Sequence, residues 1–292
     1  QTANATSTLS AKVMIQKEKI VQTVANICKG GQSLSSCLVA MDGIDETLYH
    51  HDASLTNGAN DNSYRFAGAS SAVNNYVCFG STQSPCPADN LYRIIGVFDN
   101  KIGENQTEQR VKLIKSTSVG YKEWNSTEDN TWSTSSLNTY LNNEFLNVFD
   151  ETTKGKITET TWKVGGFNNS MQPAKKVYQN EINSSPSVTK KIGLMYASDY
   201  GFAAAPSAWI TNLSDYDGEA IISANWMYIG DYDWTLSRNA DISDRVFSVN
   251  SAGVVNYSRA NEVSAVRPVF YLSSSVNYAS GSGSATDPIV VN

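Results

Sequence analysis

Charged residues, histidine and cysteine are scarce in this sequence. Only 17% of its 292 residues are charged, and there are two histidines and four cysteines. His50 and His51 sit side by side and no Cys-x-x-Cys pair occurs, so the spacing of a zinc site is missing. No apolar run approaches the length of a membrane span, and no secretory leader is visible. Because the chain opens on Gln1 rather than Met, a removed N-terminal segment is expected, and with it the only contact with a membrane. Lysine disappears after Lys191. Beyond it four arginines (Arg238, Arg245, Arg259, Arg267) stand against ten acids, an excess equal to the whole chain's net charge of -6. An acidic balance without a basic stripe argues against nucleic acid or an anionic membrane as partner. A Gly-x-Ser-x-Gly elbow is also missing, which leaves the histidine pair without a nucleophile.

Aromatic residues are abundant for so few charges: 15 Tyr, 6 Trp and 9 Phe. With a high Asn, Ser and Thr content this is the profile of a secreted, loop-rich, mostly β protein. The cysteines form two close pairs, Cys28/Cys37 and Cys78/Cys86. Four cysteines allow three pairings; the two local ones are expected, and they imply an oxidising, extracellular compartment. Each short loop so closed contributes about 2–3 kcal/mol if unstrained.

Residues 8 to 28 read as a helix, with Leu9, Val13, Ile20, Val24 and Ile27 near helical spacing and Gly30-Gly31 as a stop. A second apolar stretch, Leu34 to Met41, completes a hairpin. Residues 1–47 are therefore set apart as an N-terminal helical stalk or hairpin, either a pilin-type stem or a packed helix, and residues 48–292 as the ligand-binding domain. In the latter, Leu91–Phe98 and Val111–Lys115 are expected to pair across a long loop, Asp99 to Arg110. Residues 135–149 read as a helix with Leu137, Leu141 and Phe145 on one face, capped by Ser133 or Thr134. Ile192–Ala197, Trp234–Ser237, Arg245–Asn250, Gly253–Ser258 and Val266–Leu272 read as strands. One or two helices among many short strands give an α+β fold.

The late segments carry a resemblance. Asn225-Trp226-Met227-Tyr228, Tyr232-Asp233-Trp234-Thr235-Leu236-Ser237, Arg245-Val246-Phe247-Ser248-Val249 and Val266-Arg267-Pro268-Val269-Phe270-Tyr271-Leu272 resemble the C-terminal half of C-type-lectin-like domains of bacterial and phage surface proteins. Upstream, Leu48–Asp52, Asn74–Gly80, Asn90–Gly96 and Trp162–Gly166 resemble the same group, so the likeness spans about residues 48 to 292. It implies a C-type-lectin-like fold and a surface-displayed, adhesin-like binding protein rather than an enzyme, with no cofactor. The ligand it implies is a protein or glycan on another cell or host surface.

Some members of that group are variable proteins of diversity-generating retroelements, in which adenines are miscopied and Asn codons become many others. AAC and AAT codons altered at adenine cannot yield Lys, Gln, Glu, Met or Trp. Between Trp226 and Val266 there is no Lys and no Gln; Trp226, Met227 and Trp234 match framework positions or their neighbours, and Glu262 is a misfit. The resemblance thus implies diversification at exposed positions between residues 226 and 264. The candidate ligand-binding residues are Tyr228, Ile229, Asp231, Tyr232, Asp233, Arg238, Asn239, Asp241, Asp244, Arg245, Tyr257, Arg259, Asn261 and Glu262, with Ile242 beside them. Tyr offers rigid area with a polar tip, Arg a planar donor fork, and Asp and Asn acceptors, which is how antibody paratopes are composed. Tyr228, Tyr232, Arg238, Tyr257 and Arg259 are the expected anchors. Trp226, Trp234, Phe247, Val249, Val269 and Phe270 are expected in the core, and Arg267 is expected buried against a carboxylate.

Three other chemistries are weighed against this reading. Formylglycine-generating enzymes have a related fold but use late cysteines, and here the last is Cys86. Asp231/Asp233 has no spacing peculiar to a glycosidase. A calcium-dependent carbohydrate-binding lectin is the main alternative: Glu-Pro-Asn and Trp-Asn-Asp are absent, while Asp215-Tyr216-Asp217-Gly218-Glu219 clusters hard oxygen ligands without a full calcium loop. A pilin-like structural subunit, assembled into a pilus through the N-terminal helix, is the second alternative.

Overall fold

The computed structural model describes residues 22–104 and 106–292. Most of the helix expected over residues 8 to 28 lies outside them; within them it is the short turn Val24–Ile27. Among the described residues the chain is α+β and mostly sheet, with a ten-stranded curled sheet, a five-stranded sheet, a two-stranded ribbon and short helices between them.

The large sheet grows from one hairpin, Leu91–Lys101 against Thr107–Lys115. The strands run further than the apolar pattern marks, because polar residues Asp99–Lys101 and Thr107–Arg110 keep the ladder going past the core. The long loop expected over Asp99 to Arg110 is thereby reduced to the tip. Val269–Leu272 pairs with Thr107–Lys115. On the other side Tyr76–Cys78 pairs with Leu91–Lys101 and, in parallel, with the C-terminal strand Ile289–Val291. The Cys28–Cys37 and Cys78–Cys86 disulfides form, with Cα separations of 5.5 and 5.8 Å. Leu34–Val39 is a helix, and Val24, Leu34, Leu38 and Met41 are buried in the same core as the sheets.

The helix expected over 135–149 changes its winding along its length: Ser136–Tyr140 is regular, Leu141–Phe145 wider, Leu146–Val148 tighter. Leu137, Leu141 and Phe145 are buried as the period requires, and the tightening turns Val148 outward and Phe149 in. The cap is Ser135, whose side chain accepts from the Asn138 amide, one residue beyond the expected pair. Ile192–Ala197 is only partly strand: Ile192–Gly193 pairs with Val269–Leu272, and Ala197–Ala203 is a helix. That helix packs on another, Ala174–Asn183, which buries only Ala174, Val177 and Glu181. So thin an apolar stripe left no readable helical signal in the sequence.

Between these helices and the large sheet lies a buried ionic network. Asp199 accepts from Lys112 at 2.5 Å and pairs with Arg65 at 3.4 Å; Arg65 also pairs with Asp61 at 2.6 Å. Aromatic faces line both cations, Phe98, Tyr178 and Phe202 around Arg65 and Tyr196 near Lys112. Close by, Glu181 accepts from Ser237 and from the Ala197 amide. Burial pushes its pKa up to about 7 from 4.5. His51 lies between Phe202 and Trp209, its Nδ1 accepting from the Ala59 amide, and burial holds its pKa well below 6.5.

These two groups oppose each other in pH. Folded Glu181 keeps a proton that the unfolded chain releases above about 4.5, so its contribution to stability falls up to about pH 7. Folded His51 stays neutral where the unfolded imidazole charges, so its contribution falls as pH drops below 6.5. The slopes offset one another between about pH 4.5 and 6.5. Glu181→Gln is expected to uncover the histidine limb. Its stability relative to the wild type should grow by roughly 3 kcal/mol between pH 4.5 and 7.5, measured by urea denaturation across that range. A constant difference across that range would show that Glu181 ionises in the folded protein as it does in water.

Candidate functional site

The second sheet runs in the order Val255–Arg259, Arg245–Val249, Asp233–Arg238, Val263–Ala265, Tyr121–Glu123. Its middle is sealed on both faces. Trp234, Thr235 and Leu236 are buried, as are Val246, Phe247 and Val249. Trp234 donates its indole N–H to the Lys122 carbonyl and Trp124 donates to the Thr235 carbonyl, which ties the strands crosswise. Phe247 stacks on Phe167 with centroids 3.9 Å apart. The expected core residues Trp226, Trp234, Phe247, Val249, Val269 and Phe270 are all buried.

Arg267 joins this sheet to the large one. Its Nε and Nη2 both reach Asp233 Oδ2, at 2.8 and 2.7 Å, and Nη2 also donates to the Met227 carbonyl at 2.7 Å. Both side chains are buried, so the expected paired arginine is present and its carboxylate is Asp233. Burial raises the Asp233 pKa, while Arg267 pulls it back down.

Asp233 is therefore corrected from a ligand-facing position to the joint of the frame. Asn239 is corrected likewise: it is buried, its side chain accepts from the Asp241 and Ile242 amides, and it donates to the Asn168 carbonyl. It shapes the turn that displays its neighbours. Ile229, Tyr232, Asp241, Tyr257, Arg259 and Glu262 are exposed, as is Ile242. Tyr228, Asp231, Arg238, Asp244, Arg245 and Asn261 are half-buried. Several are held in place: Tyr228 donates to the Ser251 carbonyl, Asp231 accepts from Tyr121, Arg245 pairs with Asp244, and Arg259 pairs with Glu128 at 3.1 Å.

These positions fall toward two ends of the antiparallel strands. Arg245 lies opposite Arg259, and Arg238 opposite Val246, at one end. Asp233 lies opposite Val249, and Val249 opposite Val255, at the other, beside Ile229 to Tyr232. Tyr257 is on the outer strand between them, 44% exposed and edge-on to Phe247. Tyr121 and Glu128, which the sequence reading passed over, belong to the same surface by their bonds to Asp231 and Arg259. The pairing of Val263–Ala265 with Tyr121–Glu123 brings that early segment here, together with bonds from Asn125 to the Ala260 carbonyl and from Asn130 to the Asn239 and Arg245 carbonyls, and no local signal announces it.

Arg238 opens onto a different feature, a groove of about 880 Å³ walled by the Gly165–Gln172 loop and helix Ala174–Asn183. The loop lies flat on the end of Asp233–Arg238, with the Phe167 amide donating to the Arg238 carbonyl and the Ala240 amide to the Phe167 carbonyl. This contact requires glycine. Gly166 has φ +73°, and a Cβ there would lie 1.9 Å from the Arg238 carbonyl oxygen. The acidic turn Asp215–Glu219 exposes its carboxylates, and no group of three or more His, Cys, Asp or Glu among the described residues is arranged to hold a metal ion.

A family model, described as a domain of unknown function, DUF6273, matches residues 108–274, more than half of the chain. The chain belongs to the DUF6273 family. No curated protein and no solved structure matches it. The DUF6273 segment takes in the whole second sheet, the Arg267–Asp233 joint and every candidate ligand-binding residue, and it leaves all four cysteines outside.

The division between joint and display is measurable. Asp233→Asn leaves Arg267 charged and buried and is expected to cost about 3–5 kcal/mol. Arg259→Ala and Tyr257→Ala should each stay within about 1 kcal/mol of the wild type. Urea midpoints of the three variants test this, and equal midpoints would remove the distinction.

Proposed function

We propose that this DUF6273 protein is an extracellular, surface-displayed ligand-binding protein with a C-type-lectin-like domain, acting by adhesion and not by catalysis. The observation that carries this reading is the contrast within the second sheet. Sealed strands support Tyr232, Tyr257 and Arg259 in water, with Tyr121, Asp231 and Glu128 beside them. Aromatic and arginine positions on a rigid support lose little entropy on binding and dominate interface energies. Glu181 and Tyr271, whose pKa values burial raises, are enclosed in the core, away from solvent. Two disulfides suit an oxidising exterior.

Retroelement diversification of the exposed positions is part of the proposal. It fits the mixture of Tyr, Asp, Asn and Arg between residues 226 and 264, and it predicts an observation in DNA. A near-copy of the codons for residues 226 to 272, differing mainly at adenines, is expected beside a reverse transcriptase gene. Its absence from the complete genome would leave a binder of fixed specificity.

Binding itself is tested with the full chain immobilised and probed against cell surfaces and protein and glycan arrays. For a captured ligand, Tyr257→Ala or Tyr232→Ala is expected to weaken affinity by about tenfold or more, some 1.4 kcal/mol. Unchanged affinity in both variants and in Arg259→Ala would refute the surface assignment.

A further inference from the structure

The groove beside Arg238 differs in chemistry from the rest of the molecule. No Asp or Glu is among its lining residues, in a chain where acids outnumber Lys and Arg by 28 to 22. Its two cations have no counter-ion among the described residues. Lys176 is exposed, and among the described residues its ammonium makes neither an ion pair nor a hydrogen bond. The Arg238 guanidinium is half-buried and fixed by neutral acceptors, the Gly165 carbonyl and the Asn130 side chain, both at 3.1 Å, with no carboxylate among the described residues paired to it. A positive charge so held keeps its full demand for an anion.

The walls are amides. Lys176, Gln179, Asn180 and Asn183 fall at i, i+3, i+4 and i+7 on helix Ala174–Asn183, so one face of the helix looks into the groove. Opposite them stand Asn168, Asn169 and Gln172. Two of these amides brace each other, Asn180 donating to Gln172 Oε1 at 2.9 Å, while Asn169 is held by its own loop, accepting from the Met171 backbone N–H. The side-chain amides of Asn168 and Gln179 make no hydrogen bond among the described residues. A carboxamide offers a donor and an acceptor on one rigid plane, which matches neighbouring hydroxyls that also both donate and accept. A peptide ligand would seek apolar pockets for its side chains, and the apolar lining here is reduced to Phe167, which is buried, and Ala240. The close approach of Gly166 to Arg238 gives the groove a rigid backbone floor.

We propose that this groove is a second binding site, for a carboxylate-bearing saccharide of the uronic-acid kind, its acid group set against Arg238 and Lys176 and its hydroxyls against the amide walls. The proposal shares only Arg238 with the display surface and does not depend on it. With no aromatic platform to stack on, the site is weak and gains from several copies displayed together.

The test uses the full-length chain labelled with ¹⁵N, titrated with trigalacturonate and with its fully methyl-esterified form. Trigalacturonate is expected to shift the amides of residues 165 to 185 in a saturable way, less at high salt, and the ester to bind about tenfold more weakly or worse. Lys176→Glu, at an exposed position, and the Gln179→Ala/Asn180→Ala double variant, at half-buried positions of the same helix face, should abolish the shifts, while Tyr257→Ala leaves them intact. Equal binding of acid and ester would overturn the proposal. So would shifts that survive both groove variants, or the same shifts produced by polyglutamate and not by trigalacturonate. Loss of these shifts leaves the Tyr257 and Arg259 surface untouched, and failure of that surface leaves the groove untouched.

Discussion

The Arg267–Asp233 pair is the joint on which the arrangement depends. Arg267 leads into Val269–Leu272 of the large sheet, and Asp233 opens the central strand of the second. A carboxylate and a guanidinium that have both lost water must find each other, because an unpaired charge in that place costs several kcal/mol. The third bond, from Arg267 to the Met227 carbonyl, draws in the chain just before Tyr228. One buried cation thus sets the angle between two sheets and the starting point of the exposed loop that follows.

The same device recurs. Arg93 lies under Tyr76 and Trp226 and donates to Asn75, to the Val73 carbonyl and to the Trp226 carbonyl. Arg65 and Lys112 reach Asp199 from separate strands and fasten helix Ala197–Ala203 to the large sheet. Exchanging a buried ion pair for apolar groups is often neutral or stabilising, so these contacts are best understood as setting register and orientation rather than as net sources of stability. They let a fold with short strands and thin helices adopt one arrangement.

On the proposed reading, rigidity in the middle is what makes display at the edges useful. The central strands hold Trp234 and Phe247 in place through the Lys122 carbonyl and the Phe167 ring, so the exposed side chains of Tyr257 and Arg259 stand on a support that would not have to be ordered in the proposed binding. The groove draws on the same support from the other end, where the Gly165-Gly166 backbone rests on the terminus of the Arg238 strand. Two surfaces of unlike chemistry, one aromatic and charged and one amide-lined, are carried by a single sheet.

The α+β class, the two local disulfides, the late framework aromatics and the buried arginine were legible in the sequence, because each is written in residues close together or in a short alternation. The helix Ala174–Asn183 was not, since three buried residues in ten give no stripe. Nor was the fate of Asp233 and Asn239: acids and amides in polar stretches look alike whether they face water or an interior partner, and the partners here lie 34 residues away at Arg267 and 71 at Asn168. The sequence by itself determined which residue types were on offer and where strands could begin. Only the tertiary structure decided which polar side chains turned inward to neutralise a buried charge and which were left facing water, because burial of a charge is settled by what lies opposite in space and not by what lies beside it in the chain.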